Sequence, residues 1–142
     1  MSKARSRARR MAMQGLYEWQ VGGNTPLDIY KTYLNEHDLK KVDEDYFKEL
    51  MMDVPKHQAE LDELIEPHLS RPINEIDPIE ISILRLACYE FVHRTDVPYR
   101  VVINESVELA KTFGAEAGHK FINGILDKVA SEVRSMEVNR KS

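Results

Sequence analysis

The chain has 142 residues, of which 42% are hydrophobic and 31% are charged, and its formal net charge is −4 at pH 7. This composition is typical of a globular domain with its own core and excludes an intrinsically disordered protein. No apolar run approaches the ~20 residues of a membrane-spanning helix, and the basic N-terminus does not lead into a secretory signal. The single cysteine, Cys88, rules out an intrachain disulfide and fits a reducing environment. We therefore predict that the protein is cytoplasmic.

The charge is distributed unevenly along the chain. Residues 1–10 form a basic segment that holds five of the 20 Lys and Arg residues and no acidic residue, whereas the remaining 132 residues carry a balance of −9. A basic end on an acidic body concentrates positive potential in one place, which suits a polyanionic ligand. The alternative is a basic end that only increases solubility, and charge alone does not separate the two.

Helical signals recur along the chain, and no segment shows the sustained alternation of apolar and polar residues that marks a strand. The first helix is predicted over residues 5–21, where a glycine pair follows it. Thr25 and Pro26 predict the start of the second helix, because a capping hydroxyl followed by proline is typical of helix N-termini. The buried stripe of the second helix is predicted to consist of Leu27, Tyr30 and Leu34.

A third helical segment is predicted from about Asp43. Pro55 falls inside this segment and predicts a kink or a break, because proline removes a backbone donor and clashes with the preceding turn. The most apolar helix begins at Asp77 and Pro78, and its wide apolar surface predicts a central position in the fold.

Two further helices are predicted after the central one, and residues 138–142 are expected to form a frayed tail. The connections between helices are short, and the chain contains no internal repeat or low-complexity linker. We therefore predict an all-α fold of about seven helices in a single domain over residues 1–142.

The first helix presents its basic residues on a definite side. With residues spaced at helical intervals, Arg7, Arg10 and Tyr17 point away from the apolar stripe, and Arg5 and Arg9 flank it. This arrangement predicts an outward array of guanidinium groups, which can bind phosphates through bidentate hydrogen bonds. An outward tyrosine beside them suggests a contact with a base or a partner protein, with a half-buried packing tyrosine as the alternative. The apolar stripe consists of Ala8, Ala12, Gly15, Leu16 and Trp19.

The last long helix carries a second candidate surface. Phe121 lies at the flank of the core-facing side, next to Lys120, Lys128 and the bare backbone of Gly124. A phenylalanine bordered by cations and exposed backbone can stack an unpaired RNA base. The alternative is that Phe121 closes the edge of the core while Gly124 permits close helix packing.

No motif of the sequence indicates catalysis. The five histidines show no metal-binding spacing, and there is no glycine-rich phosphate loop or GxSxG element. No serine or cysteine has an identifiable base near it in the sequence. The sequence therefore predicts a non-enzymatic protein without a cofactor or a metal ion.

Several segments carry a family resemblance. RSRAR at residues 5–9, AMQGLYEWQ at 12–20, INE at 103–105, ELAKTFG at 108–114 and HKFINGILDK at 119–128 resemble the NusB family of bacterial transcription antitermination factors. The resemblance extends over nearly the whole chain, in order and without a large insertion. It implies an all-helical fold of two small packed sub-bundles.

The resemblance also implies a function and partners. It implies binding to single-stranded boxA-type RNA of nascent ribosomal transcripts, together with NusE, which is a protein of the small ribosomal subunit. This pair would join other Nus factors on RNA polymerase. The alternative is a stand-alone helical scaffold whose basic helix binds an acidic protein partner. The sequence leaves open whether the isolated chain forms a homodimer that hides its RNA-binding face.

Individual residues match the functional positions of the family. Arg5, Arg7 and Arg9 match its arginine-rich RNA-binding motif, which Arg10 extends. Glu80 matches a position of the NusE-docking surface, and the alternative is that it completes a capping box with Asp77. Pro55 departs from the family pattern of a continuous third helix. Of the remaining matches, Lys120 and Phe121 correspond to the RNA-facing end of the last helix. Tyr17 and Glu80 correspond to the NusE-docking surface.

Overall fold

The structure is a computed structural model that describes residues 2–140. This part of the chain contains eight α-helices, two short 3-10 helices and no strand, which confirms the predicted all-α fold with one helix more than expected. None of these helices combines the length and the apolarity needed to cross a membrane. The chain divides into two compact units, of which the first ends at His57 and the second begins at Gln58.

The first unit is a bundle of three helices, each of which begins at a side-chain cap. Ser2, Thr25 and Asp43 each accept a hydrogen bond from a backbone N–H in the first turn of the helix that follows. Such caps satisfy donors that have no partner inside a helix. The helices are α1 (Lys3–Gly22), α2 (Pro26–Glu36) and α3 (Glu44–Lys56).

Small residues bring α1 close to α3. Ala8 and Ala12 are fully buried, and a Cβ at Gly15 would lie only 2.5 Å from Sδ of Met51 on α3. Of the predicted α1 stripe, only Trp19 is half-buried rather than buried. The absence of larger side chains therefore allows the close approach that places the basic end of α1 beside α3.

The prediction of which residues form the buried face of α2 was wrong in part. Leu27 is 43% exposed, whereas Tyr33, which the pattern did not include, is 5% exposed. The reason lies on α3, because the ring of Phe47 packs between Tyr30 and Tyr33, with centroid distances of 5.5 and 5.7 Å. Aromatic packing across helices therefore determines which side of α2 is buried.

Pro55 coincides with a break. The helix α3 continues through Pro55 and ends at Lys56, and the next helix begins at Gln58. At the interruption the N–H of His57 donates to the carbonyl of Asp53 at 3.1 Å. A proline in the last turn of a helix removes a donor where the helix ends, so the third predicted segment is two helices.

The second unit is arranged around one helix, α5, as its composition predicts. All residues from 81 to 90 are buried, and the neighbouring helices α4, α6 and α7 pack against α5. The buried Arg85 forms two hydrogen bonds with the carboxylate of Asp62 on α4, at 2.8 and 3.0 Å. The helices are α4 (Gln58–Ile65), α5 (Pro78–His93), α6 (Tyr99–Phe113), α7 (Gly118–Val133) and α8 (Ser135–Asn139).

Arg134 fixes the end of α5. Its guanidinium donates to the carbonyl oxygens of Phe91 and Val97 at 2.8 and 2.9 Å and to Glu137 at 2.5 Å. Burial alone would raise the pKa of Glu137, but hydrogen bonds from the Tyr99 N–H and from Arg134 outweigh burial and lower it. The helix α8 thereby extends into the tail that was expected to fray from residue 138, whereas residues 141 and 142 lie outside the described residues.

Candidate nucleic-acid interface

The four N-terminal arginines on α1 differ in exposure. Arg7 and Arg10 are exposed, and Arg5 is half-buried. Arg9 is only 2% exposed, although its position at the flank of the stripe predicted an outward guanidinium. The outward array is therefore smaller than the sequence pattern suggested.

The N-terminal end of α3 explains how Arg5 is held. The backbone N–H of Asp43 donates to the carbonyl of Ala4 at 3.1 Å, which joins the two helices. Nε of Arg5 lies 3.6 Å from Oδ2 of Asp43, and Cζ of Arg5 lies 4.3 Å from the ring centroid of Tyr46. The Arg5 guanidinium is thus held beside an aromatic ring and a carboxylate.

Tyr46 also explains the burial of Arg9. Cζ of Arg9 lies 5.4 Å from the ring centroid of Tyr46, which is itself buried. Because α3 covers this flank of α1, the Arg9 guanidinium is not accessible to a ligand in this conformation. Arg9 thus contributes to packing within the first unit, and a direct RNA contact would require it to move.

Arg7 is accompanied by cations that the sequence analysis did not select. Nη1 of Arg7 donates to the backbone carbonyl of Lys41 at 3.3 Å, and both Lys40 and Lys41 are exposed. Two adjacent lysines in a helix connection are a visible signal in the sequence, but their position beside Arg7 depends on the fold. The accessible positive charge therefore extends from α1 to the connection between α2 and α3.

Tyr17 is half-buried on α1. The adjacent Glu18 accepts a hydrogen bond from the hydroxyl of Tyr33, which ties this part of α1 to α2. Burial and this hydrogen bond raise the pKa of Tyr33 well above its usual value. Tyr17 therefore lies on a part of α1 that is joined to α2, and its contact with a partner remains a prediction.

The outer face of α7 is open. Lys120 and Gly124 are exposed, and Phe121 is half-buried. A Cβ at Gly124 would meet no atom of the described residues within 4 Å. Within this part of the chain, close helix packing therefore does not explain the glycine.

Glu80 lies against the start of α7. A Cβ at Gly118 would come too close to Oε2 of Glu80, so a larger residue would require the flexible Glu80 side chain to shift. Ala117, the preceding residue, has a φ of 68°, in the left-handed region that non-glycine residues seldom adopt. The contact between Glu80 and the α7 N-terminus was not predicted from the sequence.

The capping arrangement at α5 is only half of a capping box. Oδ1 of Asp77 accepts hydrogen bonds from the N–H groups of Ile79 and Glu80 at 2.8 and 3.4 Å. Among the described residues, the Glu80 carboxylate makes no reciprocal bond to the Asp77 N–H. Burial and the Asp77 charge raise the pKa of Glu80, and Arg71 opposes them. Its position therefore reflects the contact with α7 more than helix capping.

The predicted site residues fall into both units. Within the first unit, the structure brings Arg5 and Arg9 together around Tyr46, and within the second unit it brings Glu80 to Gly118. Roles in binding RNA or a partner remain predictions for every one of them. The site residues of the first unit are Arg5, Arg7, Arg9, Arg10 and Tyr17, and those of the second are Glu80, Lys120 and Phe121.

Comparison with known proteins identifies the family. The NusB family model matches residues 6–131. A transcription antitermination protein NusB from Nitrosococcus oceani is 50% identical over 142 residues, which cover 100% of this chain and 95% of the relative. The protein of the same name from Idiomarina loihiensis is 53% identical over 131 residues, which cover 92% of this chain and 94% of the relative.

Solved structures agree with this result. A T. maritima NusB matches with a TM-score of 0.77 and 28% identity, covering 93% of this chain and 94% of the other. A crystal structure of the antitermination factors NusB and NusE in complex with dsRNA matches with a TM-score of 0.84 and 31% identity, covering 93% and 99%. The family is not enzymatic, which confirms the prediction made from the absence of catalytic motifs. The chain therefore belongs to the NusB family.

Proposed function

We propose that this protein binds single-stranded boxA-type RNA of nascent transcripts as a heterodimer with NusE and acts in a transcription antitermination complex on RNA polymerase. The observation that carries the proposal is the exposed basic surface of the first unit, where Arg7 and Arg10 are accessible. Arg7 also donates to the backbone carbonyl of Lys41, which is exposed together with its neighbour Lys40. A solved relative, 31% identical, holds both NusE and dsRNA, which supports RNA and NusE as partners.

The chemistry of the two surfaces suits different parts of an RNA. Guanidinium groups neutralise phosphates, which contributes affinity without sequence information. Phe121 on α7 is partly exposed, and the adjacent residue Lys120 is exposed. A ring of this kind can stack only a base that is not already stacked in a duplex. This requirement favours single-stranded RNA over the duplex seen with the relative.

Two half-buried residues are proposed for NusE. Tyr17 presents an aromatic surface on α1, and Glu80 presents a carboxylate beside the N-terminus of α7. Partly buried aromatic residues are enriched in protein interfaces, and fixed carboxylates give such interfaces polarity. Neither residue is needed to contact the RNA in this proposal.

The proposal is tested by measuring the affinity of the protein for three RNAs, with and without NusE. The RNAs are a boxA-like single strand, a scrambled single strand of equal length and a duplex of the boxA-like sequence. With NusE we expect the boxA-like strand to bind at least about tenfold more tightly than the others, which is about 1.4 kcal/mol. Equal affinity for all three RNAs in the presence of NusE would contradict the proposal and favour generic electrostatic binding.

The role of the arginines is tested by the double variant Arg7→Ala with Arg10→Ala. The slope of log K against log salt is negative, and each lost phosphate contact to a single strand reduces its magnitude by about 0.7. We therefore expect the double variant to reduce the magnitude of the slope by up to about 1.4. The control variant Lys31→Ala with Lys56→Ala removes the same charge from two other exposed positions of the first unit. A similar reduction in both double variants would show that net charge, and not the α1 surface, determines binding.

A further inference from the structure

Asp43 occupies a position at which its carboxylate cannot easily move. Oδ1 accepts a hydrogen bond from the N–H of Tyr46 at 3.1 Å, which caps α3, and the Asp43 N–H donates to the carbonyl of Ala4 at 3.1 Å. Both contacts involve the backbone and are independent of Arg5. The negative charge therefore stays beside the basic end of α1, whether or not Arg5 is paired with it.

The contact between Arg5 and this carboxylate is loose. Nε of Arg5 lies 3.6 Å from Oδ2 of Asp43, which is longer than a hydrogen bond, and the two side chains are 30% and 35% exposed. Exposed pairs of this kind contribute little stability, because water screens them. The ring of Tyr46, 4.3 Å from Cζ of Arg5, instead provides a contact that does not neutralise the guanidinium.

We infer that Asp43 sets the affinity of the basic helix for RNA, because its fixed carboxylate competes with RNA phosphates for Arg5. Tyr46 positions the guanidinium of Arg5. A phosphate that binds this guanidinium must either displace the Asp43 carboxylate or bind more weakly because the carboxylate repels it. This inference rests on the proposed RNA-binding function. It assigns Asp43 a role in limiting the binding of any polyanion, so that a cognate RNA needs its additional contacts to bind well.

The competing interpretation is that Asp43 orients Arg5 for RNA. In that case, removing the carboxylate would weaken binding. The geometry disfavours this interpretation, because the Tyr46 ring already holds the guanidinium and Nε of Arg5 lies 3.6 Å from Oδ2 of Asp43. The two interpretations predict changes of opposite sign, so one variant separates them.

That variant is Asp43→Asn, measured with NusE present. Asparagine caps a helix about as well as aspartate, so α3 keeps its start while the charge is lost. We expect both the boxA-like and the scrambled single strand to bind about two- to fivefold more tightly, the effect of one exposed charge. The salt slope should steepen by up to about 0.7. Unchanged or weaker binding overturns the inference, provided that thermal unfolding shows an intact protein.

Two controls establish that the effect passes through Arg5. In the background of Arg5→Ala, the Asp43→Asn change should give less than half of its gain in affinity, because the competed group is missing. Asp45→Asn removes the same charge two residues further along, from an exposed side chain of the same helix, and should change affinity less than twofold. A full gain without Arg5, or an equal gain from Asp45→Asn, overturns the inference in favour of a net-charge effect.

The inference and the proposed function fail in different ways. If the wild-type protein with NusE prefers the boxA-like strand but Asp43→Asn changes nothing, only the role of Asp43 is wrong. If the wild-type protein binds no RNA with or without NusE, the proposed function is wrong and the inference falls with it.

Discussion

The basic end of α1 and the outer face of α7 present their candidate residues in contrasting ways. On α1, Arg5 and Arg9 lie against Tyr46, and Arg7 donates to a backbone carbonyl, so these side chains are held within their own unit. On α7, the side chains of Lys120 and Phe121 make no hydrogen bond or ion pair with any other described residue. Held side chains lose less entropy when a ligand binds, whereas open ones bury new surface. Substitutions on α1 should therefore mix stability with binding, and substitutions on α7 should affect mainly binding.

The largest effect is expected from Arg9→Ala. Because Arg9 is 2% exposed, its removal leaves a space beside Tyr46 and should lower the free energy of unfolding by about 2–4 kcal/mol. Arg10→Ala is the matched control, since this exposed arginine should change stability by no more than about 0.5 kcal/mol. Urea unfolding followed by the fluorescence of Trp19, the single tryptophan, reports on α1 directly.

The contrast between two neighbouring arginines would be lost if Arg9→Ala and Arg10→Ala had equal stability. In that case the buried position of Arg9 would carry no energetic weight, and the prediction made from the sequence, that Arg9 is an outward RNA-binding group, would regain its support. Measuring RNA affinity for each variant, under conditions where both are folded, separates a packing role from a binding role.

The next effect concerns Phe121. If its ring stacks an RNA base, Phe121→Ala should weaken RNA binding by about 1–3 kcal/mol. Phe121→Leu keeps an apolar side chain but removes the ring, so it should lose a similar part of the affinity while retaining more of the stability. Wild-type RNA affinity in folded Phe121→Leu would mean that Phe121 serves only to pack against its own helix neighbours.

Much of the fold follows from local signals in the sequence. Thr25 before Pro26 and Asp77 before Pro78 mark helix starts that the structure contains, because capping depends on residues within one turn. The buried run of α5 follows from its composition in the same way. The buried face of α2 could not be predicted from its own period, because the ring of Phe47 on another helix determines it.

The candidate site was less predictable for the same physical reason. The helical period correctly assigns Arg7 and Arg10 to the solvent, but Arg9 lies at the edge of the stripe and only the position of Tyr46 decides its burial. The approach of Asp43 to Arg5 joins residues far apart in the sequence, and no spacing rule indicates it. Periodicity describes one helix at a time, whereas the electrostatics of the site depend on its neighbours.

The smallest effect is expected from Gly124→Ala, and it tests the open character of α7. Since a Cβ at this position meets no described atom within 4 Å, alanine should raise the free energy of unfolding by about 0.5–1 kcal/mol through its better helix propensity. If RNA lies against the bare backbone beside Phe121, the added methyl group should nevertheless weaken RNA binding. Gly22→Ala at the end of α1 is the control, because it also adds a methyl group in open space. A stabilised Gly124→Ala protein with unchanged RNA affinity would place the RNA away from this backbone, leaving Phe121 as the contact to be tested on α7.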